Sequence, residues 1–134
     1  MQPSFKPTGY NSLSPYLIID NAQALINFLV KIFDAKELRR YDRPDGKIMH
    51  TELSIDDSVI MISDSSDQWP ANKTMLHVYV KDVFETFDRA VALGFEVIER
   101  PISKHGDPDV RGSFYDNAGN FWSVSTQMDV DERR

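Results

Sequence analysis

Apolar positions along the chain change their period in an order that occurs twice. Short alternating or continuous apolar runs predict strands, whereas apolar residues three and four apart predict helices. The strand-like run from Leu13 to Ile19 leads into a stretch where Leu25, Phe28, Leu29 and Ile32 share one helical face. A helix is predicted from about Ala22 to Phe33, with Asp20 or Asn21 able to cap it. Three strands follow at Glu37–Tyr41, Lys47–Ile55 and Val59–Ser63, joined by turns at Arg43-Pro44-Asp45-Gly46 and Asp56-Asp57. The order returns from Met75: a strand, a helix over Val83–Leu93 stopped by Gly94, then strands at Phe95–Glu99, Val110–Tyr115 and Asn120–Thr126. In that second helix Val83, Phe84, Phe87, Ala90 and Val91 are expected inward. The segment from Pro101 to Asp109 reads as a loop, and the tail from Met128 as charged and frayed.

The fold class expected is α+β: two tandem βαβββ modules with curved mixed sheets, about residues 10–64 and 74–128, within one domain of residues 1–134. Residues 1–12, rich in Pro, Gly, Ser and Asn, form an irregular lead-in, and Asp64–Lys73 is the linker between modules. Duplicated modules create a cleft between them, which is where function is expected.

Composition narrows the function classes. At 134 residues and 41% hydrophobic, the chain supports one globular core and is too small for two independent ones. A net charge of -6 argues against a nucleic-acid partner, which requires clustered Lys and Arg, and suits a cationic or neutral ligand. The absence of cysteine removes disulfides, thiolate catalysis and thiolate metal ligands together. The start Met1-Gln2-Pro3-Ser4-Phe5-Lys6 has no apolar signal-peptide region, and no apolar run reaches membrane-spanning length. A cytoplasmic protein with no membrane partner is expected.

Strand alternation sorts side chains between faces. Met49, Leu53 and Ile55 should meet the first helix, leaving His50, Glu52 and Ser54 on the opposite face. Leu76, Val78 and Val80 should meet the second helix, with Met75, His77 and Tyr79 opposite. Trp122 and Val124 oppose Phe121, Ser123 and Ser125, and Phe114 inward leaves Ser113 and Tyr115 outward. If the sheets curl toward each other, the second faces line a concavity suited to a small organic ligand. The candidate ligand-binding residues are Tyr16, Met61, Trp69, Met75, His77, Tyr79, Tyr115, Phe121 and Ser123. Trp69, in the polar linker, either folds over the cleft as a lid or covers a core edge.

His50 and Glu52 are the candidate catalytic pair, a general base with its orienter; a local hydrogen bond on a solvent-facing sheet is the alternative. His105, in the loop Ser103-Lys104-His105-Gly106-Asp107, reads as part of an exposed turn. No phosphate-cradling glycine loop, serine nucleophile elbow or HExxH helix is present.

Several segments, in order, resemble one family. They are Asn21 to Phe28 at the first helix start, Phe33-Asp34-Ala35-Lys36-Glu37-Leu38 at its exit, Asp45 to Leu53, Leu76 to Val83, and Asp116-Asn117-Ala118-Gly119-Asn120-Phe121-Trp122-Ser123 near the end. Together they are similar to the vicinal oxygen chelate superfamily of glyoxalase I, bleomycin resistance proteins and extradiol dioxygenases, and in particular to its PhnB-like branch. The resemblance implies paired βαβββ modules forming a cup-shaped cleft, with homodimers common. In metal-dependent members, His, Gln or Glu ligands come from the first and last strand of each module. Here Leu13–Leu17, Val59–Ser63 and Trp122–Ser125 supply none, and His77 lies two residues beyond the slot that Met75 occupies. The expectation is therefore no cofactor; a divalent metal would need a displaced site of His50, Glu52 and His77. Two functions follow from the resemblance: a small-molecule-binding protein without catalysis, as in bleomycin binding, or a lyase or isomerase. The second would use a relocated metal or a metal-free His50–Glu52 pair.

Overall fold

The computed structural model describes residues 4–128. Its elements are β1 (Tyr16–Ile19), α1 (Ala22–Phe33), β2 (Lys36–Asp42), β3 (Ile48–Ile55), β4 (Ser58–Asp64), β5 (Met75–Tyr79), α2 (Val83–Ala92), β6 (Glu96–Ser103), β7 (Asp109–Tyr115) and β8 (Phe121–Gln127). The strand order β1-β4-β3-β2 in one four-stranded sheet is repeated as β5-β8-β7-β6 in the other. In each sheet the first strand pairs in parallel with the last, and the remaining pairs are antiparallel. The chain groups into two compact units. One takes in the chain up to Val30 with Asp34–Asn72, the other Lys31–Phe33 with the chain from Lys73.

The helices begin where short polar side chains can satisfy free amide groups. Asn21 accepts from the Ala24 amide at 3.3 Å, and Asp82 accepts from the amides of Phe84 and Glu85 at 3.1 and 3.2 Å. Helix α2 ends at Gly94, whose φ of 87° is readily adopted only without a Cβ. In the first unit Leu17, Ile19, Leu25, Leu29, Leu53 and Ile62 are buried; in the second, Val83, Phe87, Phe114, Trp122 and Val124 are. Burial of this kind is the main favourable contribution to each unit.

One knot closes the second unit. Asp116 accepts from the amides of Ala118 and Asn120 through Oδ1, and from Asn120 Nδ2 and Trp122 Nε1 through Oδ2, all within 3.0 Å. The turn before β8 is thereby fixed to the side chain of the largest buried residue.

Several local expectations are corrected. Strand β1 starts at Tyr16 rather than Leu13, because Pro15 has no amide hydrogen to donate and Leu13 is exposed. Strand β6 runs through Pro101 to Ser103, where a loop was expected. The proline is tolerated because β6 is the sheet edge and its pairing with β7 shifts register on both sides of Glu99. Gly112 on β7 makes this approach feasible, since a Cβ there would lie 3.0 Å from the Pro101 nitrogen. Phe84 is 49% exposed, and Thr86 takes its place among the buried residues of α2. At 100° per residue, Phe84 falls on the flank of the stripe formed by Val83, Thr86, Phe87 and Ala90. In α1, Ile26 is buried and Phe28 only half-buried.

The correction at Met49 shapes the site. Pairing steps from Tyr41 opposite His50 to Asp42 opposite Ile48, so Met49 is an extra residue in β3. Such a bulge reverses the alternation beyond it. Ile48 enters the core, while Met49, expected to meet the helix, is 52% exposed. The faces expected for β5 and β8 hold: Leu76 and Val78 are more buried than Met75, His77 and Tyr79, and Trp122 and Val124 are fully inward. Of the tail expected to fray, Met128 donates its amide to the Pro108 carbonyl, and the remainder lies outside the described residues.

Candidate functional site

In the first unit, the sheet face bearing His50 and Glu52 carries a continuous hydrogen-bonded chain. His50 Nε2 lies 2.6 Å from Glu52 Oε2, and His50 Nδ1 lies 2.9 Å from the Tyr16 hydroxyl. Tyr10 donates its hydroxyl to Glu52 Oε1 at 2.5 Å, and Arg39 Nε stands 3.8 Å from the same oxygen. Strand register assembles these groups: Met61 pairs with both Tyr16 and Glu52, Arg39 lies opposite Glu52, and Tyr41 lies opposite His50. The Tyr41 and His50 rings are 6.4 Å apart with 29° between their planes.

Glu52 is only 5% exposed, an unusual place for a carboxylate unless its oxygens are satisfied. Burial pushes its carboxyl up, but hydrogen bonds from Tyr10 and His50, with the charges of His50 and Arg39, bring it below the ordinary carboxylate value. The hydrogen bond to Glu52 in turn raises the Tyr10 hydroxyl. An ionised carboxylate only accepts, so Nε2 of His50 carries a proton, and in the neutral imidazole Nδ1 is then the acceptor for Tyr16. In the neutral state of His50, the chain Tyr10, Glu52, His50 and Tyr16 thus orders one imidazole tautomer and directs its lone pair at a tyrosine hydroxyl.

Tyr16 also lines a cavity of about 610 Å³ within the same unit. Its walls include Ile18, Met49 and Trp69 with Arg43, Asp64 and Asn72. Trp69 is 62% exposed, and its loop is held by the Trp69 amide on Ser66 Oγ and the Ser66 amide on the Trp69 carbonyl. Asn72 secures the linker to β1 by accepting from the Ile18 amide and donating to the Tyr16 carbonyl.

In the second unit, His77 and Tyr79 share a face with Ser125 and Asp109. His77 Nε2 is 2.5 Å from Ser125 Oγ, and Tyr79 donates to Asp109 Oδ2 at 2.8 Å, where Arg111 also bonds at 3.1 Å. Burial and the Arg111 charge lower the His77 imidazole, against the opposing pull of Asp109. Tyr115 and Phe121 are paired across β7 and β8 with ring centroids 6.0 Å apart; Phe121 also faces Met75, and Ser123 faces His77 and Ser113. His105 is exposed in a turn, as expected.

Of the expected site residues, the structure joins Tyr16 with His50 and Glu52, and Tyr16 with Trp69. Tyr10, Arg43 and Met49 join them without having been expected. Tyr10 lies in an irregular segment and Met49 on a bulge, so neither has a periodic signal; Arg43 was visible only as a turn residue.

Two βαβββ units with identical strand order define an α+β, glyoxalase-like fold. Solved structures of the same fold include TioX from Micromonospora sp. ML1, with a TM-score of 0.74 at 19% identity over 88% of this chain and 99% of that one. PhnB protein from Bacillus cereus gives 0.69 at 16% identity over 87% and 99%. FosX from Listeria monocytogenes, in complex with Mn(II) and sulfate, gives 0.68 at 18% identity over 92% and 94%. An uncharacterized protein of Mycobacterium bovis, Mb0911c, is 33% identical over 135 residues, covering 90% of this chain and 88% of its own. The chain belongs to the Glyoxalase/Bleomycin resistance protein/Dioxygenase superfamily, whose sequence model matches residues 10–124.

Divalent metals occur in this superfamily, as the Mn(II) complex of FosX illustrates. Among the described residues of this chain, no group of three or more His, Cys, Asp or Glu is arranged to hold a metal ion. Both His50 nitrogens and both Glu52 oxygens already have protein partners, and His77 bonds Ser125. As they stand, these side chains do not fit a resident metal.

Proposed function

We propose that this protein is a small-molecule-binding member of the superfamily that takes an organic ligand into the Trp69-walled cavity without a resident metal. The observation that carries the reading is the position of Tyr16, which lines the cavity and bonds the ordered His50–Glu52 pair. A cavity of this size, with aromatic and aliphatic side chains interspersed with polar ones, is within the range of small-ligand sites. A homodimer is part of the proposal on the strength of the family resemblance. A cytoplasmic location is supported by the absence of cysteine, and no helix among the described residues is long and apolar enough to cross a membrane.

The ordered tautomer favours a second reading, in which His50 acts as a metal-free general base through Tyr16, with Glu52 holding the imidazole. Such a site would serve a lyase or isomerase that moves a proton.

The test is a ligand panel read on the two indole N–H resonances in a nitrogen-correlated NMR spectrum, with Trp69→Phe assigning the Trp69 signal. Trp122, buried and bonded to Asp116, is the internal control. Saturable shifts of the Trp69 signal alone support the cavity as the ligand site; a panel that binds yet leaves that signal still refutes it. Product formation lost in His50→Ala with binding retained would move the protein to the enzyme reading.

A further inference from the structure

We infer that the first-unit cavity selects an anionic ligand, one with a flat apolar body against Trp69 and a carboxylate or phosphate directed at Arg43. This rests on the reading of that cavity as the ligand site. The basis is a count of which polar groups in its wall are still open. The carboxylate and amide acceptors already have partners: Asp64 Oδ1 takes the Ala22 amide at 3.0 Å, Oδ2 takes the Ile48 amide at 2.6 Å, and Ser66 Oγ takes the Trp69 amide. Asn72 Oδ1 takes the Ile18 amide, and the Tyr16 hydroxyl is turned to His50.

The donors are open. Arg43 makes one hydrogen bond, from Nη2 to the Ser65 carbonyl at 3.2 Å. Its Nε is buried without a hydrogen-bond partner; the nearest carboxylate, that of exposed Asp45, stands 3.6 Å away, beyond hydrogen-bonding reach. No acceptor among the described residues engages Nη1. Asn72 spends one amide hydrogen on the Tyr16 carbonyl and keeps another.

A cationic ligand entering this wall would meet an under-bonded guanidinium, while Asp64, the one carboxylate among the described lining residues, already holds an amide on each oxygen. An oxyanion would supply what is missing, because the planar guanidinium matches two oxygens of a carboxylate or phosphate at once. The net charge of -6 is a property of the whole chain and does not set the sign here. Trp69, Met49 and Ile18 supply the surface for the apolar body.

The experiment titrates four probes of one shape against the full chain: 1-naphthoate, 1-naphthyl phosphate, neutral 1-naphthamide and cationic 1-naphthylmethylamine. The readout is the Trp69 indole resonance. One or both anions should bind roughly tenfold or more tightly than the amide and the amine, and comparing the two anions separates a carboxylate from a phosphate source. Arg43→Gln should remove that advantage, lowering naphthoate affinity roughly tenfold more than naphthamide affinity. Asp45→Asn, which takes away the competing carboxylate without touching Arg43, should strengthen anion binding. The proposal is overturned if the amide or amine binds as well as the anions, or if neither substitution changes naphthoate affinity. If none of the four probes moves the Trp69 signal, the ligand-site reading falls as well.

Discussion

Replacing Glu52 by Gln tests the hydrogen-bonded chain on which both functional readings depend. The carboxylate receives two charge-assisted hydrogen bonds, 2.5 Å from Tyr10 and 2.6 Å from His50, in a nearly fully buried position. A hydrogen bond to a charged group contributes roughly 1.5–3 kcal/mol, against about 0.5–1.5 kcal/mol for a neutral one. Gln keeps the shape and can still satisfy both partners: its carbonyl accepts from Tyr10, and its amide donates to His50. The second bond requires His50 to accept at Nε2 and so to carry its proton on Nδ1, facing Tyr16. Downgrading two bonds should therefore cost about 2–3 kcal/mol at neutral pH, together with an inverted imidazole tautomer.

The pH dependence carries a sign. The folded carboxyl titrates below its ordinary value of 4.5, so the folded state binds fewer protons than the unfolded one. The stability this group contributes is fully present above 4.5 and is lost as pH falls through the depressed folded value. Urea denaturation of wild type and Glu52→Gln across this range should give curves that differ most near neutrality and converge in acid, at similar m-values. Nitrogen chemical shifts of His50 report the tautomer directly. Equal stability of the two proteins at pH 7, or a variant in which Nε2 remains protonated, would refute the chain as described.

Two other perturbations probe the second unit. Asp116→Ala strands the buried amide of Asn120 and the indole N–H of Trp122, and should cost roughly 3–5 kcal/mol, read by urea denaturation; a loss below about 1 kcal/mol would show that the turn before β8 does not depend on this carboxylate. The His77 imidazole is lowered from 6.5 mainly by burial, so the folded state resists protonation there: stability should fall as pH drops from 6.5 through the folded value. Thermal melts should show a shallower decline over that range in His77→Gln, and identical slopes would remove the effect.

The parts of the structure that were legible in the sequence are those set by side-chain period. Leu25, Phe28, Leu29 and Ile32 at helical spacing marked α1 at about its observed span, Ala22–Phe33, and the repeated order of elements is matched by a repeated strand order. Alternation likewise placed His50 with Glu52, and His77 with Tyr79, on the faces they occupy. Irregular backbone breaks this correspondence. Pro101 reads as a loop residue because the sequence does not say that β6 lies at an edge, where a missing amide hydrogen costs little.

Met49 shows the same limit at the site itself. One extra residue in β3 turns its side chain from the core to the cavity and sends Ile48 inward in its place, and nothing in Lys47-Ile48-Met49-His50 distinguishes that register from uninterrupted alternation. Tyr10 reaches Glu52 across 42 residues from a segment without period, and Arg43 reaches the cavity from a turn. The regular strands thus supply the ordered histidine, while the bulge and loops supply the walls and the open guanidinium that would choose the ligand. If the cavity is the ligand site, a change of ligand would need only changes in the bulge and loops, positions that sheet pairing leaves free to vary, with the strand-borne His50–Glu52 pair left as it is.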